Sequence, residues 1–456
     1  MMQSYRLYDT ICAIATAKGV GALSVLRLSG ELSKHIISQI FSKSIDPEMG
    51  HRAYFGRISD RNEVVDEVVL TFFRNPASFT GEDLFEISCH ASPYIQQRIL
   101  DLLIKHGARP AEAGEFSMRA YLNGKLDLSQ AEAITDLIAS ESAMAHRMAM
   151  NQMRGGFSTV IKDLREQLIH FASMIELELD FGEEDVEFAD RTELLNLVQK
   201  MIQDISHLRD SYALGNVIKN GVPVVILGAP NLGKSTLLNA LLEEEKAIVS
   251  NIPGTTRDII EDTIHIEGVE FRFVDTAGIR ETENEIENIG IQRALNRSKE
   301  ASIIIYLVDY EGYKSLNENV GFLELADSLE AHQTLITVLN KIDLVTKIDE
   351  AVSKEVIEIS AKHHIGLEVL KSKLVELIKT RAPSDQVIIN NIRHKHALDK
   401  TLESLSRVTE GLKNGIPSDL VAMDIRQATL HLASIIGEVQ TDDLLESIFT
   451  RFCIGK

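Results

Sequence analysis

Gly228-Ala-Pro-Asn-Leu-Gly233-Lys234-Ser235 follows the apolar run Val224–Leu227 and precedes a helical pattern over Thr236–Leu242. Strand, glycine loop and helix N-terminus in that order make a phosphate cradle. The glycines let backbone N–H groups close around phosphate oxygens, and the helix dipole favours the negative charge. In such a cradle, built over Asn231, Leu232, Gly233, Lys234, Ser235 and Thr236, the lysine reaches the β- and γ-phosphates and the Ser235 hydroxyl ligates Mg²⁺.

Three further strings come in order, each after a short apolar run. Asp275-Thr276-Ala277-Gly278 follows Phe271–Val274, where Asp275 can hold Mg²⁺ through water and Gly278 can offer its N–H to the γ-phosphate. Asn340-Lys341-Ile342-Asp343 follows Leu335–Val338. A fixed carboxylate there accepts from the guanine N1–H and N2 amino edge, a pattern adenine cannot present, so the site rejects the wrong base. Ser360-Ala361-Lys362 follows Val356–Ile359 and is expected to offer the Ala361 N–H to guanine O6. Any one string fits a turn at a strand end. All four in this order select a guanine nucleotide.

Between the first two strings lies Gly254-Thr255-Thr256-Arg257-Asp258. A threonine in this segment can ligate Mg²⁺ while the γ-phosphate is present and release it afterwards, and Thr255 and Thr256 both fit that role. The residue after Gly278 is Ile279, where Ras-like enzymes carry a glutamine that orients the attacking water. Isoleucine can do neither orienting nor acid–base work, so hydrolysis must recruit another group. Glu281, Glu283, Glu285 and Glu287 follow, and read by themselves they are a solvated acidic loop.

The elements that must position these groups divide the chain. At 456 residues it exceeds one comfortable core, with 44% hydrophobic and 25% charged residues as in ordinary globular proteins. Residues 1–122 are strand-rich, with strands expected at Thr10–Thr16, Ser24–Leu28, Val64–Arg74 and Leu84–Ser88 and a helix at Ile95–His106. Ser129–Leu179 and Thr192–Ala213 show three- and four-residue apolar spacing, with Gly155–Gly156 as the expected break. That texture resumes at His394–Leu412 and Ser418–Thr450. Residues 218–380 alternate strands and helices, which implies a mostly parallel sheet, either inserted into a helical domain made of 123–217 and 381–456 or set between two unrelated helical flanks. The fold class is therefore multidomain, α/β plus α.

The formal net charge of −21 disfavours a surface that wraps nucleic acid throughout, yet leaves room for a local patch or a basic partner. No stretch is apolar for long enough to span a membrane, and Met1 to Thr10 lacks a secretory layout, so a cytoplasmic protein is expected. Cys12, Cys89 and Cys453 lie far apart with no metal-ligand spacing, which reads as buried thiols for the first two.

The sequence resembles the MnmE (TrmE) family of tRNA-modification GTPases over essentially its whole length. The marks are the Gly228–Ser235 loop, Gly254-Thr-Thr-Arg-Asp258, Asp275-Thr-Ala-Gly-Ile-Arg-Glu281 and the terminal Phe452-Cys-Ile-Gly-Lys456. Val25-Leu-Arg-Leu-Ser-Gly30, Ser78-Phe-Thr-Gly-Glu-Asp83 and Leu122-Asn-Gly-Lys-Leu-Asp-Leu128 match as well, and generic GTPases lack those three strings and the terminal one. The resemblance implies a folate-binding N-terminal domain that dimerises, a two-part helical domain and an inserted G domain. It further implies action with an FAD-containing, MnmG-like subunit, in a heterotetramer, to place an aminomethyl-type group on C5 of the wobble uridine of certain tRNAs. The one-carbon unit would come from 5-formyl- or 5,10-methylene-tetrahydrofolate.

Residue by residue, the resemblance puts folate on Arg27, Glu86, Lys125 and Lys456, and Mg²⁺ on Ser235 and Thr256. It puts K⁺ on Asn231, Ser250, Ile252 and Thr255, and extends the GTP contacts through Asn251, Pro253 and Gly254. Glu287 matches the position that organises the attacking water, with K⁺ and paired G domains doing what an arginine does elsewhere. Cys453 beside the folate residues is either a nucleophile or a packed thiol. The rival reading, a ribosome-assembly GTPase switch, lacks support in the flanks, which show no basic, glycine- or aromatic-bearing RNA-binding face.

Overall fold

The computed structural model describes residues 9–17, 19, 21–46, 48–180, 191–246, 262–274, 301–330, 332–345, 356–381, 387–439, 442–450 and 452–455. The chain forms two compact units. Residues 1–135, 152–172 and 426–456 make one, and 136–151 with 173–425 make the other.

In the first unit the elements run β1 (Ile11–Ile14), β2 (Leu23–Ser29), α1 (Ser33–Ile40), β3 (Arg52–Asp60), β4 (Glu63–Phe73), β5 (Leu84–His90), α2 (Pro93–Lys105), β6 (Arg109–Pro110) and α3 (Glu115–Leu122). The sheet order is β3-β4-β5-β2-β1-β6, antiparallel except for β1 beside β6. Period-two alternation buries Leu26, Leu28, Leu70, Phe72, Phe85 and Ile87 under the apolar faces of α1 and α2. The same pleat turns Arg27 and Glu86 to the opposite face, where they are register partners. Apolar residues share that second face: Phe55 is 60% exposed beside its register partner Val69 at 41%, and Leu23 is 66% exposed. Helix α1 and strand β3 were not evident in the sequence. β3 is an edge strand, which needs few apolar residues.

The expected long helix over Ser129–Leu179 is three helices: α4 (Leu128–Ile138), α5 (Ala143–Met153) and α6 (Gly156–Asp180). One break falls at Gly155 as expected. The other follows Ile138, where Ser140 Oγ donates to the Leu137 carbonyl at 2.7 Å and Ser142 Oγ accepts from the Ala145 N–H at 3.2 Å. Serine hydroxyls that compete for backbone groups end one helix and cap the next.

Helix α7 (Arg191–Asn220) leads into the second sheet. There follow β7 (Val222–Leu227), α8 (Lys234–Lys246), β8 (Asp262–Ile266), β9 (Val269–Phe273), β10 (Ile303–Val308), α9 (Tyr310–Lys314), α10 (Val320–Asp327), β11 (Thr334–Leu339), β12 (Ile357–Glu358) and α11 (Leu367–Arg381). The order is β12-β11-β10-β7-β9-β8, all parallel except β8, which pairs antiparallel with β9. β7 is buried along its whole length, as a strand covered on both faces must be. The chain then forms α12 (Ile392–Asn414), α13 (Ser418–Ile436) and α14 (Asp442–Phe449). Helix α12 packs along α7, and Ser211 Oγ on α7 accepts from the Ile389 N–H at 3.1 Å. Asp136 binds both Lys219 (2.7 Å) and the Asn390 side-chain amide (2.8 Å). The segment leaving the sheet is thus tied to the helix that entered it. Among the described residues no helix is long and apolar enough to cross a membrane.

Candidate functional site

The phosphate loop lies at the carboxyl end of β7, flanked by β10 on one side and β9 on the other. This is the point where the strand order reverses, and α/β sheets open their ligand crevice there. Two of its glycines are required by close approach. A Cβ on Gly228 (φ +142°) would meet the Leu307 carbonyl oxygen, and one on Gly233 (φ +91°) would lie 2.7 Å from the Asn340 amide nitrogen. Asn231 takes φ +63°, a left-handed conformation that asparagine tolerates better than most side chains. Lys234 opens α8 and curls over the loop, and its ammonium donates to the Gly228 and Ala229 carbonyls at 2.9 and 2.8 Å. Burial pushes its pKa down from the ordinary lysine value. A partly desolvated cation at the mouth of such a loop is suited to polyphosphate. Ser235 follows on the first turn of α8, at the helix end where anions and their metals gather.

Asn340 connects this loop to the base-reading strings. It is nearly fully buried; its Nδ2 donates to the Leu232 carbonyl at 2.8 Å, and its Oδ1 accepts the Ala361 N–H at 3.0 Å. The Ala361 N–H expected on guanine O6 is thus also a donor to Asn340, and the buried side-chain amide is satisfied at both of its ends. Asp343 is held by the Ser360 hydroxyl, 2.6 Å from Oδ1. That hydrogen bond, outweighing burial and helped by His363 and Lys362, keeps the carboxyl below its ordinary pKa, so it is a permanent acceptor. His363 Nε2 lies 3.7 Å from Oδ2, a neighbour not foreseen from sequence. Lys341 adopts φ +64° between Asn340 and Asp343. Ser250, Asn251, Ile252, Pro253, Gly254, Thr255, Thr256, Asp275, Thr276, Ala277, Gly278 and Glu287 lie outside the described residues, as does Lys456.

The second candidate site is on the open face of the first sheet. Arg27 Nε donates to Glu86 Oε1 at 2.9 Å, and its Nη1 reaches the Gly455 carbonyl at 3.3 Å. The C-terminal segment is docked there: Ile454 bridges to Ala113, and the Gly114 N–H donates to the Cys453 carbonyl at 3.3 Å. The Phe79 ring lies against the Arg27 guanidinium, 5.4 Å from ring centroid to Cζ. Lys125 Nζ donates to the Pro76 carbonyl at 3.0 Å, on the stretch that leads into Phe79. A carboxylate, a guanidinium and an aromatic ring at one place suit a flat heterocycle with donor and acceptor edges. Burial pushes the Cys12 thiol up to about 12 and the Cys89 thiol up to about 11, so neither is a nucleophile at neutral pH. Cys453 is exposed.

Residues 10–125 match the family description "GTP-binding protein TrmE N-terminus" and residues 128–453 match "MnmE helical domain". The chain is 50% identical to the tRNA modification GTPase MnmE of Cytophaga hutchinsonii, with 98% of each chain covered. It is 48% identical to that of Christiangramia forsetii, covering 99% of this chain and 100% of the relative. The Bacteroides fragilis protein of the same name is also 48% identical, covering 98% of this chain and 99% of the relative. The phosphate loop, the two family-model matches and this full-length likeness together lead to one conclusion: the chain belongs to the MnmE family of tRNA modification GTPases.

Proposed function

We propose that GTP hydrolysis by this chain drives modification of C5 of the wobble uridine of certain tRNAs, together with an FAD-containing subunit. The observation that carries the reading is the meeting of Arg27, Glu86 and the C-terminal Gly455 in a chain of this family that also carries the phosphate loop and a Ser360-held Asp343. A bound tetrahydrofolate derivative would supply the one-carbon unit. Glu86 suits the donor edge of its pterin, and Lys125 with Lys456 suits its anionic tail. Residues 1–122 then serve folate and dimerisation, and 123–217 with 381–456 form a helical support for the G domain of 218–380. The exposed Phe55, Val69 and Leu23, on the same face of the sheet as Arg27, favour a homodimer formed through that face. The deciding experiment is mass spectrometry of wobble uridines from cells lacking the protein. The C5 substituent should disappear and return with the wild-type gene; an unchanged uridine removes the reading.

In this proposal Ser235, Thr256 and Asp275 serve Mg²⁺, and Glu287 orients the attacking water. K⁺ sits against Asn231, with oxygens of Ser250, Ile252 and Thr255. The left-handed Asn231 supports this, because it places a side-chain amide at the turn of the phosphate loop. Hydrolysis should run at least about tenfold faster in K⁺ than in Na⁺, worth roughly 1.4 kcal/mol of barrier. Asn231→Gly is the cleaner probe than Asn231→Ala, since glycine accepts φ +63° without strain. It should retain GTP and lose the preference for K⁺. Equal rates in both salts would reassign the charge compensation to an arginine or another group.

A further inference from the structure

Next to the Arg27–Glu86 pair, reached through Ser29 on the same strand, lies a charge network that neither site uses directly. Arg119, on α3, is only 1% exposed. Its Nη1 donates to the Asp9 carbonyl at 2.8 Å and to Glu82 Oε1 at 3.1 Å; its Nη2 donates to Asp9 Oδ1 at 2.6 Å and to Glu115 Oε1 at 3.1 Å. Arg109 binds the same Asp9 and Glu115, at 2.7 and 2.6 Å. Burial pushes the Asp9 and Glu115 carboxyls up, but the arginine hydrogen bonds outweigh it and hold both below their ordinary values.

Two guanidinium groups face three carboxylates, Asp9, Glu82 and Glu115, so the network carries one negative charge in excess. A buried network is costly when unbalanced. Without Glu82 it would balance, so charge balance does not explain that residue. Its contacts do. Glu82 Oε2 accepts from the Ser29 hydroxyl at 2.7 Å, and Ser29 is in turn 2.7 Å from the Thr80 hydroxyl. Ser29 stands two residues beyond Arg27 on β2. The Glu82 N–H reaches Thr80 Oγ1, the Ser78 hydroxyl donates to the Glu82 carbonyl, and the Asn123 amide donates to the Thr80 carbonyl. These bonds hold the Ser78–Asp83 turn that carries Phe79, whose ring backs the Arg27 guanidinium.

We propose that Glu82 is a positioning residue of the folate site: it anchors the Ser78–Asp83 turn to Arg119 and Ser29, so that Phe79 holds the Arg27 guanidinium in place for the pterin. The inference rests on the folate reading above. Arginine has many rotamers, and packing a ring on one face while Glu86 and Gly455 take the N–H groups removes that freedom before ligand arrives.

The test compares Glu82→Met with Glu82→Gln in the full-length protein. Methionine removes both acceptor oxygens and leaves the network with two cations and two anions, so the fold is retained. Glutamine can still accept from Arg119 and donate to Ser29. Calorimetry with 5-formyltetrahydrofolate should show affinity lowered about tenfold in Glu82→Met, the scale of one charge-assisted hydrogen bond, and near wild type in Glu82→Gln. Melting temperatures of the two variants should be similar. Wild-type affinity in Glu82→Met overturns the proposal, and so does a loss matched by an equal fall in thermal stability in both variants. If the wild-type protein itself does not bind the probe, the folate reading fails. Hydrogen exchange of the loop peptide without ligand then decides for Glu82: faster exchange in Glu82→Met alone supports the anchor, and unchanged exchange refutes it.

Discussion

Asp343→Asn should lower GTP affinity on the order of a hundredfold or more, because a site built for a donor edge discriminates sharply once its acceptor is lost. The Ser360 hydroxyl takes Oδ1 at 2.6 Å and fixes the plane of the carboxylate. That hydrogen bond also lowers its pKa, and as a carboxylate it would meet guanine N1–H and the N2 amino group as an acceptor only. Asparagine would present an NH₂ group to at least one of those donors, or turn it on Ser360. Xanthine carries an oxygen where guanine has the amino group, so the same variant should bind xanthosine triphosphate better than the wild type does. Calorimetry with both nucleotides checks the pair of expectations. Unchanged GTP affinity in a folded Asp343→Asn protein would remove the guanine assignment.

Deleting Ile454–Lys456 should weaken 5-formyltetrahydrofolate binding by at least about tenfold and abolish tRNA modification, while GTP hydrolysis continues. The deletion removes the Ile454 bridge to Ala113 and the Gly455 carbonyl that accepts from Arg27. It also removes the terminal lysine expected to face the folate tail. Arg27 would keep Glu86 and Phe79 but lose one of its three restraints. The phosphate loop and Asp343 belong to the other compact unit. Full folate affinity in the truncated protein would assign the C-terminal motif to another partner. Loss of GTPase activity without unfolding would instead overturn the division of labour between the two units.

The strings expected to hold a guanine nucleotide were legible in the sequence because their chemistry is local. A phosphate loop needs only a strand, two glycines and a helix start, all within a few residues, and each base-reading string follows its own strand. What no string could show was that Asn340 joins two of them, to Leu232 and to Ala361, across the carboxyl edge of the sheet. Single-strand alternation likewise placed β2 and β5, yet the edge strand β3 and the short α1 escaped notice, since weak or brief apolar patterns are outvoted by their polar neighbours. The serine break after Ile138 was hidden for a different reason: periodicity continues across it, and only the hydroxyl bonds to Leu137 and Ala145 reveal it.

The second site depended on tertiary structure from the start. Arg27 and Glu86 are 59 residues apart, and Arg27 and Gly455 are 428 apart, so nothing in their spacing could suggest a common place. Family likeness supplied the candidates Arg27, Glu86, Lys125 and Lys456 without a physical reason for choosing them. The sheet supplied a physical reason for pairing the two at its centre, because antiparallel register between β2 and β5 sets Arg27 directly opposite Glu86 on the face away from α1 and α2. Residue type thus determined which groups could bind phosphate, guanine or a pterin edge. Register, and the burial of Arg119 behind it, decided which of those groups stand together and at what angle, since charges far apart in sequence acquire a fixed geometry only when the chain closes around them.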